Sequence, residues 1–173
     1  MAKQAQTKRF ELADIQVIDI KKNVDERGFF AEAARKDWND IFGEKWISQA
    51  NLSKSYPGII RAWHRHARGQ IDYFMVLQGA MKIVAYDDNE KSNTYGKIVE
   101  LVGSEERLQI IKVPGHYWHG TKTIGDRPSL TIYFVNNPYD YAFPDEERRP
   151  WNHSSIIDPK TRQPYDWNSP PHK

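Results

Sequence analysis

The sequence predicts an all-β fold, with short strands wrapped into a sandwich or barrel around one core. Three observations predict it. Glycine or proline breaks the chain at short intervals, at Pro57–Gly58, Gly69, Gly79, Gly96, Gly103, Pro114–Gly115, Gly125 and Pro128. The runs between these breaks are rich in the β-branched and aromatic residues that strands favour, and aromatic residues make up 13% of the 173 positions. The candidate strands fall at regular spacing: 47–53, 58–65, 72–78, 80–87, 97–103, 108–113, 117–124 and 129–136. That rhythm belongs to sandwiches and barrels.

The flanking segments follow from local pattern. Residues 1–9 are polar and read as frayed. IQVIDI, from Ile15 to Ile20, is a short strand. A turn at Asp25–Gly28 leads into an aromatic strand. In KDWNDIFG (36–43), Trp38, Ile41 and Phe42 recur at helical spacing and Gly43 supplies a stop, which predicts one short helix. Residues 138–173 are rich in proline and aromatic residues. They read as an irregular tail that packs across the barrel or against a second subunit. The expectation is one domain over residues 1–173, with its core at about 15–137.

Composition excludes several classes. There are 25 Lys+Arg against 23 Asp+Glu, a net charge of +2, which is too balanced for a duplex DNA binder. There are no cysteines, so disulfides, thiolate metal sites and cysteine nucleophiles are out. No stretch approaches the roughly 18 apolar residues of a membrane span, and the first residues hold no apolar signal core. A soluble, cytoplasmic protein with no nucleic-acid or membrane partner is expected.

Two segments carry the chemistry. One is Gly58-Ile-Ile-Arg61-Ala-Trp-His64-Arg-His66, followed by Asp72 and Gly79. The other is Pro114-Gly-His116-Tyr-Trp-His119-Gly120. In a strand, residues i and i+2 share a face, so His64 and His66 project together, and the Pro–Gly turn delivers His119 on a later strand. This is the double-stranded β-helix (jelly-roll) pattern of cupins. Imidazoles in such a barrel can hold a divalent metal or act as bases near neutral pH. The H-X5-D gap is one residue longer than the usual cupin spacing. Trp63 and Trp118 flank the histidines as packing or pocket wall. His116 reads as a turn residue, and Arg148–Arg149 as solvated surface.

The chain also resembles one family, the dTDP-4-dehydrorhamnose 3,5-epimerases of nucleotide-sugar metabolism, from about residue 15 to about residue 152. The pieces are Asp25-Glu-Arg27-Gly28-Phe29-Phe30-Ala-Glu32, Gln49-Ala-Asn51-Leu-Ser53-Lys-Ser55, Gly58-Ile-Ile-Arg61-Ala-Trp-His64, Thr94-Tyr95-Gly96-Lys97, Pro114 to Gly120, Tyr133 with Tyr139, and Trp151-Asn152. The resemblance implies a cofactor-free epimerase acting on a nucleoside-diphospho-4-keto-6-deoxyhexose at C3, C5 or both. It implies His64 as the base, Tyr133 as the acid on the other face, and His119 near the developing enolate. It implies substrate contacts at Arg27, Phe29, Glu32, Gln49, Asn51, Arg61 and Tyr139. It also implies a homodimer in which residues 25–32 complete the partner's site, and a role in lipopolysaccharide (O-antigen), capsule or antibiotic-sugar synthesis.

Four positions depart from the family pattern. Asp72 stands where the family has a lysine, His153 where it has an aspartate after W-N, His66 where it has glutamine or similar, and His116 where it has glycine. Asp72 is a candidate to orient His64 in place of the missing aspartate. Two rival readings follow from the departures. One is a metal-dependent cupin oxygenase or isomerase, with a divalent metal on His64, His66, Asp72 and His119. The other is a non-catalytic cupin that binds sugar nucleotides.

Overall fold

The computed structural model describes residue 8 and residues 10–43 and 46–169, so most of the polar start lies outside the described residues. The elements are β1 (Gln16–Asp19), β2 (Asn23–Asp25), β3 (Gly28–Phe30), α1 (Asn39–Phe42), β4 (Gln49–Ser55), β5 (Ile60–Arg65), β6 (Ile71–Gln78), β7 (Ala80–Tyr86), β8 (Ile98–Ser104), β9 (Gln109–Pro114), β10 (Trp118–Ile124), β11 (Ser129–Val135) and β12 (Glu147–Arg148). All eight strands expected between residues 47 and 136 form, within two residues at each end.

They build two five-stranded antiparallel sheets, ordered β1-β9-β6-β11-β4 and β12-β5-β10-β7-β8, while β2 and β3 pair as a separate hairpin. From β4 to β11 the chain crosses from one sheet to the other at every connection except β7 to β8. This is the jelly roll that the histidine motif predicts. The crossings follow from the punctuation. Gly79, with a positive φ of 70°, is the single residue between β6 and β7, and an L side chain is strained in that conformation.

Strand alternation sorts the side chains into three apolar layers. Between the sheets lie Phe74 and Val76 of β6, Met81, Ile83 and Ala85 of β7, and Ile111 and Val113 of β9. The next residues on β6, Tyr73 and Met75, face outward and are covered by Phe42 of α1. On the other sheet Trp63 and Trp118 face outward under Ile156, Tyr165 and Trp167 of the tail. Of the two expectations for residues 138–173, packing across their own barrel is the one seen here. β12 adds an edge strand to β5, and the Trp63 indole N–H donates to the Trp151 carbonyl at 3.1 Å.

The helix is shorter than expected, four residues rather than 36–43. Its N-cap is Trp38, which offers no side-chain acceptor to the exposed N–H groups, so nothing local extends the first turn. Packing holds it instead: Phe42 is 2% exposed and meets Tyr73 at a ring distance of 5.0 Å.

Trp167 is fully buried, and its indole N–H has no partner among the described residues. Trp167→Ala should therefore cost about 3–5 kcal/mol, read from the urea unfolding midpoint. Trp167→Phe keeps much of the volume and removes the unpaired N–H, so it should cost far less. Equal losses from the two would show that the aromatic volume is not what anchors the tail.

Candidate functional site

The site begins with the pairing of β5 and β10. Their antiparallel register sets His64 directly opposite His119, with a bulge between His119 and Gly120. The bulge brings the backbones close. A Cβ on Gly120 would lie 2.2 Å from the Cβ of Ala62, so only glycine permits the approach. Gly115 does the same for the neighbouring turn. A Cβ there would sit 2.4 Å from the Gln70 carbonyl and 2.9 Å from the Cβ of His66. The two glycines of the PGHYWHG motif thus bring the His119 strand onto the His64–His66 segment. The ring centroids of His64 and His119 are 4.2 Å apart.

Asp72 completes the group from β6, in the opposite sheet. The donor atoms of His64, His66, Asp72 and His119 all lie within 4.8 Å of one another. Asp72 is 2% exposed and His119 fully buried. Asp72 Oδ2 lies 2.9 Å from His119 Nε2 and 3.5 Å from His66 Nε2, while Oδ1 accepts from the Gln70 amide at 3.0 Å. Asp72 thus sits between His66 and His119 rather than orienting His64. Among the described residues no hydrogen bond reaches the His64 ring.

The ionisation pattern follows from these contacts. Enclosure lowers His64 well below its ordinary value, and His119 adds to this, so His64 rests as neutral imidazole. Burial alone would raise the Asp72 carboxyl, but the hydrogen bonds from His119 and His66 outweigh it and hold the group well below the usual carboxylate range. For His66, burial opposes protonation, yet Asp72 and the Asp145 carbonyl raise it above its ordinary value.

The cluster forms the floor of a cavity of about 970 Å³ lined by Gln49, Asn51, Arg61, His64, Tyr133 and Tyr139, together with His66 and Asp72. His119 lies beneath this floor. Tyr133, on β11, pairs in register with Asn51 and Phe74, so it enters from the sheet opposite His64. Burial raises its phenol above the ordinary range, and Asp72 adds to this. Arg61 donates to Ser55 Oγ at 2.8 Å and has no carboxylate partner among the described residues.

Other expected residues lie elsewhere. Arg27, Phe29 and Glu32 do not line this cavity. Arg27 pairs with Asp25 on the exposed β2–β3 hairpin, Phe29 is 58% exposed, and Glu32 pairs with Arg35. His153 bonds to Ser155 Oγ at 2.8 Å and stays outside the cavity. His116 is exposed in its turn, with its ring against Tyr117.

Several lining residues were not singled out as site residues. Arg148 and Arg149, read as solvated surface, line the cavity, as do Arg68, Gln70 and Asp145. Asp145 accepts from the backbone N–H groups of Ala67 and Arg68, each at 2.9 Å, and its carbonyl accepts from His66 Nδ1. No local motif marks these residues. For Asp145, Arg148 and Arg149 the only signal is the Pro-rich tail, whose path depends on tertiary packing.

Comparisons with known proteins agree with this architecture. The family profile described as dTDP-4-dehydrorhamnose 3,5-epimerase matches residues 9–157. A probable low-salt glycan biosynthesis epimerase of Haloferax volcanii is 43% identical over 159 residues, covering 92% of this chain and 96% of that protein. A spore coat polysaccharide biosynthesis protein of Bacillus subtilis is 36% identical over 142 residues, covering 82% and 91%. The crystal structure of dTDP-4-dehydrorhamnose 3,5-epimerase from Elizabethkingia anophelis superposes with a TM-score of 0.77 at 26% identity, covering 96% and 88%.

The strand contact under the site gives a direct test. Gly120→Ala places a methyl against Ala62 and should destabilise the protein by about 1–3 kcal/mol, measured by thermal unfolding. Gly125→Ala, at an open loop position, lacks that clash and bears only the cost of its positive φ. If Gly120→Ala proves the milder change, the close approach is not what fixes the register.

Proposed function

The chain belongs to the dTDP-4-dehydrorhamnose 3,5-epimerase family, and from that premise we propose that it inverts C3, C5 or both in a nucleoside-diphospho-4-keto-6-deoxyhexose by base-catalysed enolisation. The observation that carries this reading is the pair His64 and Tyr133, which enter one cavity from opposite sheets. The proton on a carbon next to the C4 carbonyl is acidic because the resulting carbanion delocalises into that carbonyl as an enolate. Inversion needs a base on one face of the ring and an acid on the other.

His64 suits the base. It is neutral, and no hydrogen bond from the described residues engages its ring, so a ring nitrogen is available to the substrate. Tyr133 suits the acid, since its raised phenol keeps the proton at neutral pH. His119 and Asp72 support the floor beneath the developing enolate, where electrostatic stabilisation is usually the largest catalytic contribution. Arg61 has guanidinium donors to spare for the diphosphate, and Gln49, Asn51 and Tyr139 surround the remaining space. These proton transfers call for no redox or group-carrying cofactor.

The hairpin residues Arg27, Phe29 and Glu32 enter the same reading through a homodimer, in which they would reach the partner's cavity. The hairpin leaves Val24, Phe29 and Phe30 between 58% and 75% exposed, which supports a covering subunit. Light scattering should give twice the chain mass, and Arg27→Ala should raise KM. A monomer at full activity would remove this part of the proposal. The named roles of the two relatives, in glycan and spore coat polysaccharide biosynthesis, support a product destined for a cell-surface glycan. Such a substrate is consistent with an enzyme of the cytoplasm. Among the described residues no helix is long and apolar enough to cross a membrane.

Proton NMR in D2O with dTDP- and CDP-4-keto-6-deoxyglucose tests the chemistry. Loss of the C3 or C5 signal is expected, and the signals that fade count the centres. His64→Asn should slow exchange by about 10²–10⁴-fold. Tyr133→Phe should keep exchange while losing inversion, because the base still removes the proton. Unchanged exchange in His64→Asn would overturn the assignment of the base.

Burial of Tyr133 also fixes a sign in the pH profile. The acid works protonated, and its raised phenol extends the protonated range upward. Tyr133 should therefore cause no fall in kcat/KM below about pH 10. A fall near pH 8 that disappears in Tyr133→Phe would contradict this role.

A further inference from the structure

The hydrogen bonds around the histidine cluster fix which ring nitrogens carry protons. His119 Nδ1 lies 2.9 Å from the carbonyl of Tyr117, and an oxygen there can only accept, so Nδ1 carries the proton. His66 Nδ1 faces the Asp145 carbonyl in the same way. In the neutral form of either ring Nε2 then carries a lone pair. Both Nε2 atoms turn toward one carboxylate oxygen, Asp72 Oδ2, at 2.9 Å from His119 and 3.5 Å from His66. A lone pair set 2.9 Å from a carboxylate oxygen in a buried site needs a positive charge between them. A cation held between the two satisfies both atoms.

We propose that His66, Asp72 and His119 bind a divalent first-row transition metal ion at the pocket floor, with His64 beside it as a free base. Ring nitrogens tied by Nδ1–H to backbone carbonyls, with Nε2 aimed inward, are how proteins hold histidine ligands in one tautomer and orientation. The spacing fits. Donors about 2.1 Å from one ion stand roughly 2.9 Å apart in octahedral and 3.4 Å apart in tetrahedral geometry. The donor set selects the ion. Two imidazoles with one carboxylate suit zinc, nickel, cobalt, iron or manganese, whereas magnesium and calcium prefer all-oxygen sites. The Gln70 amide, 3.1 Å from His66 Nε2, would release that nitrogen and keep its bond to Asp72 Oδ1.

His64 differs from the other two histidines. Its donor atoms are close enough to join them, but among the described residues no hydrogen bond fixes its ring, and it lines the cavity. The ion would keep open positions on that side. There it would meet the 4-keto oxygen of the substrate. This role rests on the epimerase reading, whereas the binding of the ion does not.

The test uses the full chain stripped with a chelator and titrated separately with Mn2+, Co2+, Ni2+ and Zn2+ by calorimetry. One equivalent should bind saturably for at least one of these ions, and Co2+ should develop visible d–d bands. Asp72→Asn should weaken binding by about 100-fold or more, and His66→Gln should do the same if Asp72→Asn fails to fold by circular dichroism. His64→Asn should bind within about threefold of the parent. No saturable uptake of any of the four ions would overturn the proposal. Undiminished binding in His66→Gln, or a loss in His64→Asn as large as in Asp72→Asn, would overturn the ligand assignment. Metal uptake without proton exchange in D2O would leave the site standing and remove the reaction, and exchange without uptake would do the reverse.

Discussion

A single buried carboxylate organises this molecule. Asp72 is 2% exposed on a central strand, and an uncompensated charge in such a place costs several kcal/mol. The compensation comes from three directions: His119 on β10, His66 just beyond β5, and Gln70 in the loop before β6. These groups converge only if the two sheets face each other in one register. The close contact of Gly120 with Ala62 and of Gly115 with Gln70 and His66 serves that convergence. A slip of one residue in β5 would turn His64 outward and Trp63 inward.

The same alternation ties the site to the packing. Trp63 precedes His64 and Trp118 precedes His119, so each strand presents a tryptophan to the outer layer and a histidine to the inner face, His64 lining the cavity and His119 beneath its floor. The tail that covers the tryptophans returns Asp145 and Arg148 to the cavity rim on its way. The backbone of Arg149 pairs with that of Trp63 in both directions at 2.9 Å, and its guanidinium lies 4.0 Å from the Trp118 ring. Anchoring the tail and shaping the site are therefore one packing problem. Asp145 shows this most directly, because it fastens the loop after β5 and fixes the tautomer of His66 through the same residue.

Much of this was legible locally. The strands from 47 to 136 could be read because each is bounded by residues with a backbone reason to break, such as Gly79 and the Pro114–Gly115 pair. The shared face of His64 and His66 followed from strand geometry alone. The helix is shorter than the apolar spacing over 36–43 predicts, because periodicity reports an apolar face but not a missing cap, and Trp38 caps nothing. Arg148 and Arg149 were read as surface because adjacent charges usually are, and only the pairing of β12 with β5 turns them toward the cavity. Asp72 was visible as an acid at a suggestive spacing, but its partners were not. A role in orienting His64 was expected, and the register sends it to His66 and His119 instead.

The sequence by itself determined the jelly roll, the strand boundaries, the family and the histidines that share one face. Those features depend on punctuation, period-2 patterning and motif spacing, which act over a few residues. The tertiary structure decided which face of each strand is sealed by the tail, which cations reach the cavity, and which nitrogen of His66 and of His119 meets a backbone carbonyl. It also placed Arg27, Phe29 and Glu32 outside the chain's own cavity. These outcomes depend on contacts across tens of residues, such as Asp145 with His66 and Asp72 with His119. Their energies come from burial and charge compensation at the meeting point, and no local pattern records where that point will be.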